Sequence, residues 1–206
     1  WKNGSDGAGY SSLIPFDLGG ERMMAVFPKD HFVVRRMKDG SEVGRIPWKT
    51  SYGVNAATPV ISGNRIFISS GYGYGCALLE VSADGVKEVW RNKNMRNHVN
   101  SCVVWQGCIF GFDDSELKCL DYKTGEVKWG TKAFGKGSLT LADGKLILYG
   151  QTGKLATAQP SPDGYKEISS VQILAGKDTW AVPVLANGRL YCRSLEKMVC
   201  LDVKGP

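Results

Sequence analysis

Four stretches of this 206-residue chain superimpose when written in register: 58–70, 101–113, 138–150 and 182–194. Each is an apolar strand, a glycine-containing turn and a second apolar strand, and 12–27 is a looser fifth copy. Asp143-Gly144 and Asn187-Gly188 are two-residue hairpin signals, because both central positions of a type I′ turn need positive φ. A third strand follows each copy, at 31–37, 76–82, 117–123, 154–160 and 198–204. A turn and a fourth strand come next in most copies. Basic residues open the second strand at Arg22, Arg65, Lys145 and Arg189, and tryptophans mark the fourth at Trp48, Trp90 and Trp129. Both series step by roughly forty residues, the length of a propeller blade.

A four-stranded sheet with two apolar faces buries neither alone, so such units must stack on their neighbours. The pattern predicts an all-β fold: one β-propeller over 1–206, with blades at 9–48, 55–90, 98–129, 137–175 and 179–206. Five antiparallel blades are visible, the last without its outer strand. Trp1-Lys2 matches Trp48-Lys49 and so reads as the end of an earlier fourth strand. Trp48, Trp90 and Trp129 are expected to dock one blade on the next, each ring filling a wedge while its N–H finds an anchor.

Composition excludes several classes. The 26 glycines and the 43% hydrophobic content suit short strands and tight turns with a real core. The net charge of +6 is spread over the whole length, which speaks against nucleic acid as a partner. No apolar run approaches the roughly 18 residues that cross a bilayer, so no membrane insertion is expected in this segment. The six cysteines form no C-x-x-C, and with His31 and His98 the only imidazoles no metal site is expected. Cys108 and Cys119 fall on neighbouring strands of one hairpin, which leaves a disulfide open without requiring one. Neither Gly-x-Ser-x-Gly nor a phosphate loop occurs; Gly71-Tyr72-Gly73-Tyr74-Gly75 reads as an aromatic hairpin loop.

The clearest third-to-fourth-strand unit runs from Cys119 to Trp129, with Asp121, then Thr124-Gly125, then the tryptophan. It resembles the signature of the pyrroloquinoline-quinone-type (PQQ-like) repeat family, and weaker forms at 36–48, 79–90 and 199–204 extend the likeness along the chain. Asp121, Thr124 and Gly125 thereby join the structural, blade-docking set. The family includes quinoprotein dehydrogenases and a periplasmic outer-membrane assembly propeller. Its members usually close seven or eight blades, so the resemblance implies the C-terminal part of a longer protein, with its missing blades as partners, and an extracytoplasmic location.

In the dehydrogenases the quinone sits against two adjacent disulfide-bonded cysteines, with calcium held by Glu, Asn and Asp. No two cysteines are adjacent here, and Asp113-Asp114-Ser115-Glu116, the nearest acidic group, falls in a hairpin turn. Two readings therefore stand. The leading one is a non-catalytic binding or scaffold module with no cofactor. The alternative is a quinoprotein alcohol dehydrogenase-type oxidoreductase, with PQQ and calcium ligands in blades outside this chain.

Propellers recognise partners with loops, because packing consumes the strands. The connectors between blades are 49–55, 91–100, 130–137 and 176–180, and Asp178 is their one acidic residue. They predict a basic channel mouth that takes a protein or an anionic or polar ligand through Lys49, Asn55, Arg91, Lys93, Arg96, His98, Asn100, Lys136 and Trp180.

Overall fold

A computed structural model describes residues 1–176 and 179–204. Every regular element among them is a strand. The first sheet runs in the order β1 (Ile14–Leu18), β2 (Glu21–Val26), β3 (His31–Arg36), β4 (Glu42–Pro47). The second is β5 (Val60–Ser62), β6 (Arg65–Ser70), β7 (Gly75–Ser82), β8 (Gly85–Asn92). The third is β9 (Val103–Trp105), β10 (Cys108–Asp113), β11 (Glu116–Asp121), β12 (Val127–Thr131). The fourth is β13 (Gly137–Ala142), β14 (Lys145–Gly150), β15 (Lys154–Gln159), β16 (Lys166–Gln172). The fifth has three strands, β17 (Val184–Ala186), β18 (Arg189–Arg193) and β19 (Met198–Asp202). Strands pair antiparallel with their sequence neighbours, so the expected propeller blades are present and the last lacks an outer strand among the described residues. The chain divides into two compact units, the first ending at Ser101 with two sheets and the second starting at Cys102 with three.

Local chemistry sets the hairpins. Asp143 and Gly144 have φ of 48° and 64°, and Asn187 and Gly188 have 51° and 71°, as a type I′ turn requires. In each four-stranded sheet the register shifts once, after the fourth residue of the third strand: Val34, Leu78, Cys119 and Thr157. An extra residue on one strand sharpens the local twist, and its recurrence repeats the blade geometry four times. Asp121 closes the β11–β12 turn: its Oδ1 accepts from the amides of Lys123 (2.8 Å) and Thr124 (3.1 Å), and Gly125 takes φ 73°. Asp121 also pairs with Lys128 across the same hairpin (3.1 Å), the Gly125 amide donates to the Asp121 carbonyl (2.9 Å), and the lysine holds the Asp121 carboxyl below its usual range.

In the first unit the two sheets are sealed by Phe16, Met23, Phe27 and Phe32 from one side and Ile66, Ile68, Leu79 and Val81 from the other. Trp48 fills the wedge, fully buried, its ring 5.9 Å from that of Phe27 and 4.7 Å from that of Tyr74. A buried aromatic removes about 150–250 Å² from water, which at about 25 cal/mol per Å² is roughly 4–6 kcal/mol, an upper bound because the unfolded chain already hides some surface.

The tryptophan series divides in space. Trp90 and Trp129 sit on their fourth strands opposite Leu78 and Cys119, immediately before the bulge. The residue in that place in the first sheet is Gly44, opposite Val34. Trp48 lies four positions further on, beyond β4, so its apparent agreement with the other two is a coincidence of spacing. A side chain at Gly44 would run into the backbone of Val86, 2.7 Å away, which leaves no room for a tryptophan there. Trp90 and Trp129 repeat each other closely: rings 6.0 Å from Phe67 at 52°, and 6.1 Å from Phe110 at 49°.

In the second unit one core joins the third and fourth sheets through Phe110, Phe112, Leu117, Leu139, Leu146 and Leu148. Trp129 donates Nε1–H to the Ser161 carbonyl at 2.8 Å and so docks these two sheets. A second core joins the fourth and fifth through Ile147, Tyr149, Leu155, Leu190 and Cys192. Cys108 and Cys119 are free thiols on facing strands; burial first, then the Cys108 thiol, pushes Cys119 upward.

Trp1 stands on no strand. Its ring lies against Gly40, its Nε1–H donates to the Met37 carbonyl at 3.0 Å, and 1–13 crosses the first sheet as irregular chain. Asp6 pins that segment, reaching Arg45 at 3.0 Å and both Arg35 and His31 at 3.5 Å.

Candidate functional site

In an up-and-down sheet, the connectors from the second to the third strand emerge at the same end as those leaving the fourth. In the first unit this end gathers 27–30, 49–59, 71–74 and 93–101. Buried polar side chains hold the loops in place. Trp48 donates Nε1–H to Ser70 Oγ (2.9 Å), Ser70 donates to Asn55 Oδ1 (2.8 Å), and Asn55 Nδ2 donates to the carbonyls of Pro28 (2.7 Å) and Lys29 (3.1 Å). Asn55 is fully buried and its amide is consumed by this network, so it fixes the loops and offers nothing to a ligand. Ser69 does the same for 93–101, donating to the Met95 carbonyl (2.9 Å) and accepting from the Asn97 amide (3.0 Å). Met95, fully buried, is the apolar peg of that loop.

The sequence-derived candidates separate on this end. Arg91 is committed at its base: Nε donates to Glu88 at 2.7 Å, and its guanidinium lies 4.6 Å from the centre of the Trp48 ring. Lys49 and Lys93 are exposed and have no acidic partner among the described residues. Arg96, His98 and Asn100 are half-buried. The His98 ring meets Tyr72 edge-on, 4.7 Å between centroids at 74°, and Tyr72 meets Tyr52 at 5.0 Å and 67°. Tyr52 and Tyr72 are 71% and 50% exposed, so the ring pair stands at the surface. Sequence reasoning missed this row; the Tyr72-containing loop was visible, but its partners arrive from two other connectors. Tyr72 holds φ 55°, a left-handed conformation that costs a bulky residue free energy.

The second unit builds its equivalent end differently. Lys136 Nζ reaches Asp114 at 3.5 Å and stands 5.8 Å from the centre of the Trp180 ring, and its amide donates to Gln151 Oε1 at 3.2 Å. The acidic turn beneath faces lysine as well: Asp113, buried, receives Lys118 at 2.5 Å, and Glu116 lies 3.6 Å from that lysine. Asp178 lies outside the described residues. Among the described residues no group of three or more His, Cys, Asp or Glu side chains is arranged to hold a metal, and no helix is long and apolar enough to cross a membrane. A cavity of about 450 Å³ under the segment 1–13 is lined by Leu13, Met24, Val26 and Val33. Arg35, its one buried charge, is taken by Glu42 (3.3 Å), Asp6 (3.5 Å) and the Gly40 carbonyl (3.0 Å).

The profile of the PQQ-like repeat family described as outer membrane protein assembly factor BamB matches residues 8–131. Among solved structures, BamB from Moraxella catarrhalis superposes with a TM-score of 0.64 at 14% identity, over 96% of this chain and 60% of that one. The computationally designed Ika8 protein gives 0.68 at 10% identity, over 94% of this chain and 58% of that one. The chain therefore spans about three-fifths of the length of either structure. No protein of curated function matches the sequence. Matching more than half its length, the chain belongs to the PQQ-like repeat family typified by the outer-membrane assembly factor BamB.

Proposed function

We propose that this chain is a non-catalytic, extracytoplasmic binding module that recognises an acidic segment of a partner protein through the connector end of its first unit. The observation that carries the reading is the charge of that end. Connectors 27–30, 49–59, 71–74 and 93–101 contain Lys29, Lys49, Lys93 and Arg96 against one carboxylate, the half-buried Asp30, and neither Lys49 nor Lys93 has an acidic partner among the described residues. Strand faces are spent on sheet packing, which leaves loops to recognise partners. Clustered positive charge favours encounter with negative surfaces and disfavours other partners. The family's description as an outer-membrane assembly factor supports a scaffolding role outside the cytoplasm by analogy.

The test places a photo-crosslinking residue at position 51 in the full-length protein in its native host. Adducts should map to peptides rich in Asp and Glu, and charge reversal at Lys49→Glu with Lys93→Glu should abolish them. Adducts that survive the reversal, or that map to segments with no acidic excess, would overturn the reading.

A further inference from the structure

The geometry points to a more specific role for the same end: we infer that Tyr52, Tyr72 and His98 form an anchor seat for an aromatic side chain embedded in the acidic segment, with Lys49 and Lys93 receiving its carboxylates. The inference rests on the binding reading above and adds the residue class that confers affinity. Three connectors converge on the row. Gly71 makes the approach possible, since a side chain there would meet the His98 Cα at 3.0 Å and the Asn97 carbonyl at 3.2 Å. Gly75 does likewise, with Lys93 Cα 3.1 Å from where its Cβ would stand, so Lys93 borders the Tyr72 loop directly. On the other flank, Lys49 precedes the turn that Thr50 and Gly53 close around Tyr52 (Gly53 amide to Thr50 carbonyl, 3.1 Å).

Three features argue for a partner rather than for packing. The two tyrosines remain largely exposed while touching each other, so burial does not explain them. Tyr72 takes φ 55° at the first central position of a type I′ turn (Gly73 at 75°, Tyr74 amide to Gly71 carbonyl 3.2 Å), a place that Asn, Asp or Gly fills with less strain than an aromatic. The loops carrying the rings are fixed from below by Ser69, Asn55 and Met95, which lowers the ordering cost of association.

The chemistry selects among ligands. Rings meeting at 67° and 74° present edges and corners. Such a seat suits an inserted aromatic, which prefers edge-to-face contact, and not the flat platform on which successive bases stack. A neutral glycan has no use for the two lysines. Tyrosine and histidine rings backed by cations match an anchor residue flanked by Asp or Glu, in the way buried aromatics dominate protein interfaces.

The probe is a random dodecapeptide library displayed on phage, panned against the full chain. Enriched peptides should carry Phe, Tyr or Trp within a few residues of two or more carboxylates. For one such peptide made synthetically, Tyr52→Ala with Tyr72→Gly should weaken binding about tenfold or more, as should replacing the peptide's aromatic by alanine. The glycine removes the ring without adding backbone strain, so thermal unfolding should show the variant folded. Acidic peptides whose binding falls with Lys49→Glu/Lys93→Glu but not with the tyrosine pair would overturn the anchor seat and leave the charge reading standing. Enrichment without carboxylates, or no enrichment, would overturn both.

Discussion

The connector ends of the two units start from the same topology and arrive at different electrostatics. In the second unit Lys136 is neutralised by Asp114 at 3.5 Å and laid beside Trp180, and Asp113 and Glu116 are both answered by Lys118. In the first, the one connector carboxylate is the half-buried Asp30, and Lys49 and Lys93 stand in solvent beside an exposed aromatic row. The difference teaches that a blade's position does not dictate what its loops do. An internally paired loop end contributes to its own unit's order, whereas an unpaired one keeps its charge for something else.

The same contrast extends beneath the loops, where it gives the largest expected effect. Trp48 is fully buried and ties three connectors through Ser70 and Asn55, whereas Trp129 is half-buried with one bond to a carbonyl. Trp48→Ala should cost about 3–5 kcal/mol by denaturant unfolding, the range for a core aromatic, and Trp129→Ala roughly half as much. Equal losses would show that the two wedges are equivalent after all.

Acid should separate the units less strongly. Glu42 accepts from Arg45 at 2.7 Å, and that bond, with the Arg45 and Arg35 charges, holds its carboxyl below the ordinary range against the opposing effect of burial. A carboxylate depressed in the folded state contributes stability that is complete above the unfolded value and is lost as pH falls through the folded one. Stability of the first unit should therefore fall with acidification from about pH 5 downward, and Glu42→Gln should flatten that dependence. Asp121, depressed through Lys128, gives the second unit its own acid-sensitive hairpin; Asp121→Asn should flatten the loss there, followed by hydrogen exchange at the β11–β12 turn. A slope that survives Glu42→Gln would assign it to other groups.

The smallest effects test the loop comparison directly. Lys136→Glu would face Asp114 with a like charge and should destabilise by at most about 1 kcal/mol, the scale of an exposed pair. Lys93→Glu, with no acidic partner among the described residues to lose, should change thermal stability by no more than ~0.5 kcal/mol. If Lys93→Glu were the costlier of the two, the lysine would belong to the architecture and not to recognition.

The blade pattern was legible in the sequence because a strand's face is fixed by a two-residue alternation and a type I′ turn by two residues of known φ preference; Asp143-Gly144 and Asn187-Gly188 needed nothing more. Tryptophan spacing misled because a linear interval carries no register: four residues separate Trp48 from the place held by Gly44, and only the bulge after Val34 reveals which residue stands opposite. Asn55 looked like a ligand-binding amide because an amide in a polar loop is indistinguishable, by sequence, from one that caps two carbonyls 26 and 27 residues earlier.

What the amino-acid order determined alone was the repeating unit: strand length, hairpin type, the third-to-fourth-strand turn and the positive bias of the connectors. Those depend on interactions among residues a few positions apart. Which lysines remain without acids, which amide is buried, and that Tyr52, Tyr72 and His98 stand together were decided by tertiary structure. Each of those facts joins segments twenty or more residues distant, and a contact between distant segments is set by how the sheets pack, not by the chemistry of any one of them.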